Sequence, residues 1–134
     1  MTHAPHRTRM PESRRGITRK ATICGFECYI TVNFFDDGTT GDNVNEPGEV
    51  FVKISKHGTE LSGLMDTAAT FLSMALQYGV PWPILRDKML HTKFGTPDAE
   101  FSSLCDGIAK LIDRTIAERA KMLGLDETET DDEG

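Results

Sequence analysis

GEVFVKISKHGTELSGLMDTAATFLSMALQYGVP, residues 48–81, holds the clearest change of pattern in the chain and decides its fold class. In the first part, Val50, Val52 and Ile54 alternate with other residues, which predicts a strand that buries one face. Further on, apolar residues recur at spacings of three and four, the period of a core-facing helix: Leu61, Leu64, Met65, Ala68, Ala69, Leu72, Ala75 and Leu76. A strand that leads directly into a long helix indicates an α+β domain.

Two further strands are predicted upstream of this segment. Residues 21–24 and 28–34 are rich in β-branched and aromatic residues, and Gly25 between them predicts a tight hairpin or a bulge. Asp36-Asp37-Gly38 is a turn signal, and residues 39–47 contain little that is apolar, so they predict an exposed loop. The three strands together predict an antiparallel sheet.

Downstream, the pattern predicts a short helix and a second long one. Residues 83–90 begin with proline, which favours a helix start, and the apolar period resumes at Phe101 and continues to about residue 122. For the first long helix, Thr59 or Ser62 is the expected N-cap, and Gly79 is an expected stop. The predicted fold class is therefore α+β: a three-stranded antiparallel sheet followed by two long helices and a short connecting helix.

The charge is unevenly distributed along the 134 residues, whose net charge is −6. Residues 1–20 hold six basic residues against one acidic residue, and residues 125–134 hold six acidic residues and no basic one. Neither end has apolar periodicity, so we expect a basic disordered arm, a domain over 21–124 and an acidic disordered tail. The arm is interpreted as a solvated tail in preference to a nucleic-acid contact, because the rest of the chain is acidic.

Composition also excludes several classes of function. The three cysteines form no CxxC pair, which argues against a disulfide framework or a zinc site and favours a reducing, cytoplasmic environment. No apolar run reaches about 18 residues, so no membrane span is expected. No arrangement of Ser, His, Asp or Cys suggests an activated nucleophile, and no metal or cofactor is expected.

The best candidate site is the corner between the third strand and the first long helix. A strand that enters a glycine turn and then a helix brings free backbone N–H groups and cationic side chains together, which favours a phosphate or another anion. The residues expected there are Lys53, Lys56, His57, Gly58, Thr59 and Ser62. Alternatively, Gly58 only permits the turn by a positive φ, a hydroxyl caps the helix and the lysines are solvated.

A second basic group lies on and after the short helix. Arg86 and Lys93 are its candidate anion contacts, and Trp82 nearby offers a ring on which a base can stack. The alternative is that Trp82 and Phe94 close the end of the core and the charges surround it. Asp66 is expected to be an exposed acid on its helix.

The chain resembles a known family through specific phrases. GEVFVKISKHGT, the following LSGLMD and the closing LQYGVP are similar to the strand and helix of the TSCPD domain, which lies at the C-terminus of adenosylcobalamin-dependent ribonucleotide reductases. CYITV, the Asp36-Asp37-Gly38 turn and Lys93-Phe94 are similar to further parts of that domain. The resemblance covers about residues 21–117.

This resemblance implies a stand-alone reductase-like TSCPD domain that acts as a nucleotide- or nucleic-acid-binding accessory module. The radical cysteine, reducing cysteine pair and cobalamin site of the full reductases are not found here, so catalysis by this chain alone is not expected. Two alternatives remain: a subunit of a split ribonucleoside-diphosphate reductase that works with a separate catalytic chain, and a viral sponge that sequesters a nucleotide signal.

Self-association is a further expectation. The first long helix carries Phe71 and Met74 away from its core-facing stripe, and a sheet of three short strands cannot cover both sides of that helix. We therefore expect a homodimer or a higher closed oligomer.

Overall fold

A computed structural model describes residues 6–36, 44–55 and 58–125 of the chain. Their elements follow in the order β1 (Arg15–Ile23), β2 (Phe26–Phe34), β3 (Pro47–Ile54), α1 (Thr59–Gln77), α2 (Trp82–Met89) and α3 (Leu104–Met122). The strands form one antiparallel sheet in the order β1-β2-β3. The predicted α+β architecture, with two long helices and a short one between them, is confirmed.

The first strand begins earlier than predicted. Arg15–Lys20, which the charge pattern assigns to the basic arm, belong to β1 instead and pair with Tyr29–Phe34 of β2. Alternate residues Ile17, Arg19 and Ala21 are half-buried, whereas the residues between them are exposed. The basic residues mask this alternation in the sequence, because a lysine or arginine can lie on the solvated face of a strand as well as in a tail.

The residues before β1 also contact the domain. The Thr8 N–H donates to Gln77 O at 2.8 Å, and Arg7 Nε donates to Gln77 Oε1 at 2.7 Å. Arg14 pairs with Glu49 at 2.8 Å. Residues 7–14 therefore run along the end of α1 and β3 as part of the described fold. The acidic tail, from residue 126 onward, lies outside the described residues.

One face of the sheet is covered by the two long helices. α3 packs against β1 and β2, and α1 packs against β3. The fully buried side chains between the layers come mainly from β2 and α3, and they include Ile23, Ile30, Val32, Phe34, Ile108 and Ile112. Gly107 allows the close approach of α3, because a Cβ at this position would collide with the side chain of Ile23.

The helix ends show one confirmed stop and one wrong cap. α1 ends at Gln77, and Gly79 follows with a φ of 99°, as predicted for a glycine stop. Its N-cap is Gly58, without a side-chain hydrogen bond, so the prediction that Thr59 or Ser62 caps α1 is wrong. The φ of Gly58 is −63°, which every residue can adopt, so the turn does not need a positive φ at this position.

Candidate functional site

The face of the sheet opposite the helices carries the most distinctive group of side chains. We call it the open sheet face and define it by the outward residues of the three strands: Gly16, Thr18, Lys20, Thr22, Glu27, Tyr29, Thr31, Asn33, Glu49, Phe51 and Lys53. Outward residues of a half-buried antiparallel sheet are ordinarily polar. Here Tyr29 is 39% exposed and Phe51 is 47% exposed, so two large rings lie on a face that water reaches.

The register arranges this face in rows across the strands. Tyr29 lies directly between Lys20 of β1 and Lys53 of β3. In the next row, Thr31 lies between Thr18 and Phe51, and the two threonine hydroxyls are 2.8 Å apart. A tyrosine with a lysine directly opposite it on each neighbouring strand is therefore a consequence of the strand pairing.

The third row closes one end of the face. Glu49 accepts hydrogen bonds from Asn33 Nδ2 at 2.9 Å and from Arg14 Nη1 at 2.8 Å, so its charge is neutralised. Gly16 lies opposite Asn33, and a Cβ at this position would collide with the Asn33 side chain. This end of the open sheet face is consequently flat and polar.

The cation of Lys20 is held in place by its neighbours. Lys20 Nζ lies 3.1 Å from Glu27 Oε2 and 5.8 Å from the centre of the Tyr29 ring. The hydrogen bond from Lys20 to Glu27, together with the negative charge of Glu27, raises the pKa of Lys20. Lys20 thus stays charged beside the ring at every physiological pH. An anionic ligand would have to bind this ammonium group together with Glu27.

These groups suit a ligand that combines a flat apolar ring with negative charge. Exposed aromatic side chains stack on nucleobases, and lysine ammonium groups bind the phosphates that accompany them. Among the described residues of the face, none has a positive φ, so the backbone there is unstrained.

The structure places the predicted site residues in different parts of the molecule. Lys53 lies on the open sheet face, and Gly58, Thr59 and Ser62 lie at the start of α1. Lys56 and His57 lie outside the described residues. Within this corner, Ser62 N donates to Gly58 O at 3.3 Å, a bond of the first helical turn.

The second predicted group is separate and is largely neutralised. Arg86 lies 3.1 Å from Asp87 and 3.7 Å from Asp113, and Lys93 is exposed in the loop after α2. Trp82 is buried and donates to Asp113 Oδ1 at 2.7 Å, so it closes the core as the alternative interpretation holds. Phe94 is 52% exposed, and its assignment to the core is wrong.

Sequence analysis missed Lys20, Tyr29 and Phe51. Once β1 is known to begin at Arg15, the sequence does contain a signal. Aromatic residues and lysines occupy alternate positions of the strands, on the face opposite the buried residues. Residue spacing alone cannot show that these three residues lie in neighbouring rows of one face, because their positions relative to one another depend on the register between the strands.

An apolar groove lies on the other side of the molecule. It has a volume of about 390 Å³ and runs between α1, α2 and α3 above Val52 of β3. Lys88 is its one charged lining residue among the described ones, and the remaining lining is apolar: Val52, Met65, Ala68, Ala69, Phe71, Leu72, Ala75, Leu85, Met89, Cys105 and Ile108. Phe71 on its rim is 66% exposed, so a large apolar surface lacks a cover.

The buried acids and the cysteines have structural explanations. Asp106 is fully buried at the start of α3. Burial alone would raise its pKa, but the carboxylate accepts hydrogen bonds from the backbone of His91 and Ser102 and from Lys110. These bonds lower the pKa to about 2.

Asp66 is exposed, as predicted. Cys28 is a free thiol whose pKa burial raises to about 11, which makes it unreactive.

Within residues 6–36, 44–55 and 58–125, no group of three or more His, Cys, Asp or Glu side chains could hold a metal ion. In the same part of the chain, no helix is both long enough and apolar enough to cross a membrane.

Comparison with known proteins identifies relatives over most of the chain. The family model described as the TSCPD domain matches residues 3–116. A vitamin B12-dependent ribonucleotide reductase of Rhodopirellula baltica is 38% identical over 70% of this chain and 8% of its own length. That of Streptantibioticus cattleyicolor is 37% identical over 86% of this chain and 18% of its own length. The chain thus spans less than a fifth of these relatives, and no solved structure matches it.

Proposed function

Because the chain belongs to the TSCPD domain family, we propose that it is an accessory binding module that holds a nucleotide or nucleic acid on its open sheet face. The observation that carries the proposal is the row in which Tyr29 lies between Lys20 and Lys53, with Phe51 exposed beside it. A solvated pair of rings costs hydrophobic free energy, which a stacked base would recover.

Titration tests this proposal directly. Isothermal calorimetry at low salt with nucleoside mono- and triphosphates, cyclic oligonucleotides and single-stranded oligonucleotides should give heat with at least one of them. Tyr29→Ala should weaken that ligand about tenfold, as expected for the loss of one stacked base. Tyr78→Ala is the matched control, because Tyr78 is 41% exposed at the end of α1, away from the sheet. Absence of heat with every ligand would refute the proposal.

The lysines distinguish the candidate anion sites. Lys53→Gln should weaken binding severalfold, and Lys93→Gln should leave it unchanged, because Lys93 lies in the loop after α2. Lys56→Ala tests the strand-helix corner, where Lys56 and His57 remain predictions. The opposite pattern, with a loss only in Lys93→Gln or Arg86→Gln, would move the site to the second basic group.

The relatives support a second candidate function. In the reductases this domain is part of a much longer chain, so the present chain can instead be a subunit of a split reductase that works only with a separate catalytic chain. Affinity purification from the native host tests this alternative. Recovery of a large chain with reductase sequence would support it, and recovery of this chain alone would contradict it. In either case we infer that the chain has no catalytic activity by itself and works in the reducing cytoplasm, where Cys24, Cys28 and Cys105 remain free thiols.

We also propose that two copies associate through the apolar groove. Phe71 protrudes beside the groove, so each copy offers both a projecting ring and a cavity, as a twofold interface requires. If the α1 helices of two copies pair antiparallel, their dipoles oppose each other, which favours a second copy as the occupant.

A further inference from the structure

We propose that the ligand of the open sheet face is a single-stranded nucleic acid, with one base on Tyr29 and a neighbouring base on Phe51. This inference rests on the proposed function and deepens it, since a mononucleotide and a strand use the face differently. The two rings, the row spacing and the charge balance of the face carry the argument.

The two rings lie diagonally on neighbouring strands. Tyr29 pairs with Lys53 and Thr31 pairs with Phe51, so the two aromatic residues are offset by one row. Such diagonal positions are about 7–8 Å apart, too far for one base to cover both rings face to face. Each ring is separately exposed, at 39% and 47%. A mononucleotide can therefore engage one ring, whereas a strand of two or more nucleotides can engage both.

The surroundings of the rings leave room for a chain to pass. The Thr18 and Thr31 hydroxyls bond to each other within the middle row, and beyond them Asn33 lies across Gly16. From the row of Tyr29 to that of Asn33 the face extends about 13 Å along the strand, at about 3.3 Å per residue. A duplex does not suit this surface, because its base faces are buried against one another and cannot reach a ring.

The charge balance of the face predicts how salt affects binding. Its cations are Lys20, Lys53 and the adjoining Arg14; Glu27 pairs with Lys20, and Glu49 pairs with Arg14. Lys53 has no ion pair within the described part of the chain. A strand would therefore neutralise only about one or two phosphates here, and the logarithm of the affinity should fall with that of the salt concentration with a slope of about −1.

The test is competition against a fluorescein-labelled oligodeoxythymidine of eight nucleotides, followed by fluorescence anisotropy with the full chain at 50 mM and 200 mM salt. Unlabelled oligodeoxythymidine of four nucleotides should compete with at least tenfold higher affinity than thymidine monophosphate, and a GC-rich duplex long enough to stay paired at 50 mM salt should not compete. Tyr29→Ala and Phe51→Ala should each weaken the tetranucleotide about tenfold, whereas Tyr78→Ala should not. The melting temperatures of all three variants should match that of the parent, which separates loss of binding from loss of fold.

Several outcomes would overturn the inference. Equal competition by thymidine monophosphate and the tetranucleotide, or an unchanged Phe51→Ala variant beside a weakened Tyr29→Ala, would indicate a mononucleotide on one ring and leave the proposed function standing. Equal competition by the duplex, or a salt slope of −4 or steeper, would move binding to the basic residues 7–15. If neither mononucleotide nor oligonucleotide binds, the proposed function itself fails.

Discussion

The two long helices have the same length and a similar apolar period, yet they have different surroundings. α3 begins with the Ser103 side chain accepting from Asp106 N at 3.0 Å, and it buries Asp106, Thr115 and Arg119 with polar partners. α1 begins at Gly58 without a side-chain cap and leaves Leu64 and Phe71 exposed by about two thirds.

The position of each helix on the sheet explains this difference. α3 lies across β1 and β2, so its inward side contacts the buried middle of the sheet. α1 lies over the edge strand β3, and Leu64 and Phe71 on its flank are largely exposed. Both helices contribute to the core, but α3 buries polar as well as apolar side chains, whereas α1 leaves large apolar side chains exposed. Four predictions test that division.

The largest effect should come from truncation in the core on α3. Ile112 is fully buried, and Ile112→Ala should lower the free energy of unfolding by about 2–5 kcal/mol through lost burial and a residual cavity. Leu64→Ala on α1 is the control and should change it by less than about 0.5 kcal/mol, because Leu64 is 68% exposed. Urea unfolding measures both. A cost for Leu64→Ala similar to that for Ile112→Ala would break the comparison.

A somewhat smaller effect is expected from acid. The pKa of Asp106 is about 2 in the folded chain and near its ordinary value of 3.8 in the unfolded one, so its contribution is present above about pH 4 and is lost as the pH falls toward 2. The loss should be about 2 kcal/mol. Unfolding measured between pH 5 and pH 2 should show it, and Asp106→Asn should remove most of that dependence.

Asp106→Asn should itself destabilise the chain at pH 7, because Lys110 loses its ionic partner at 3.0 Å. Asp66→Asn on α1 is the matched control, since Asp66 is exposed. The same acid dependence in parent and Asp106→Asn would show that another carboxylate is responsible.

The fold was more predictable from the sequence than the site. The alternation of Val50, Val52 and Ile54 and the apolar period after Leu61 predicted the strand, the helix and the fold class correctly. The prediction that Leu64 and Ala68 face the core is wrong, because α1 packs on the edge strand and leaves both exposed. The meeting of Tyr29 with Lys20 and Lys53 depends on the register of three strands, which no local pattern encodes. Likewise, the N-cap of α1 depends on the residue at which the helical backbone geometry begins. The sequence favoured the hydroxyl residues Thr59 and Ser62, but the helix begins directly after Gly58.

The third prediction concerns the exposed side of α1. Phe71→Ser should change the free energy of unfolding of the monomer by less than about 0.5 kcal/mol, since the ring is largely solvated. It should nevertheless abolish the proposed dimer, which light scattering coupled to size exclusion would detect as a fall to 14.9 kDa. Met122→Ser on α3 is the control, with 69% exposure. A parent that is already monomeric at 100 μM would reject the dimer.

The smallest effect should be a gain in stability at the uncapped helix. Gly58 has a φ of −63° and no atom within 4 Å of a Cβ at this position, so serine fits there without strain. Gly58→Ser should stabilise the chain by about 0.5 kcal/mol, because serine is the better N-cap and restricts the unfolded chain. Thermal unfolding measures this gain. A loss of stability would mean that α1 does not begin at this residue in solution.

The packing of α3 on β1 and β2 also has a consequence for biosynthesis. During translation the β1–β2 hairpin leaves the ribosome before α3, the helix that covers its apolar side. Asp98 connects the turn of this hairpin to the segment before α3. Its carboxylate accepts hydrogen bonds from the backbone N–H groups of Cys24 at 2.7 Å and of Phe101 at 2.6 Å. Ile23, Ile30 and Val32 of the nascent hairpin therefore remain uncovered until α3 has been synthesised. A fragment of residues 1–103 should accordingly aggregate or bind chaperones, and sedimentation of that fragment beside the full chain would measure this.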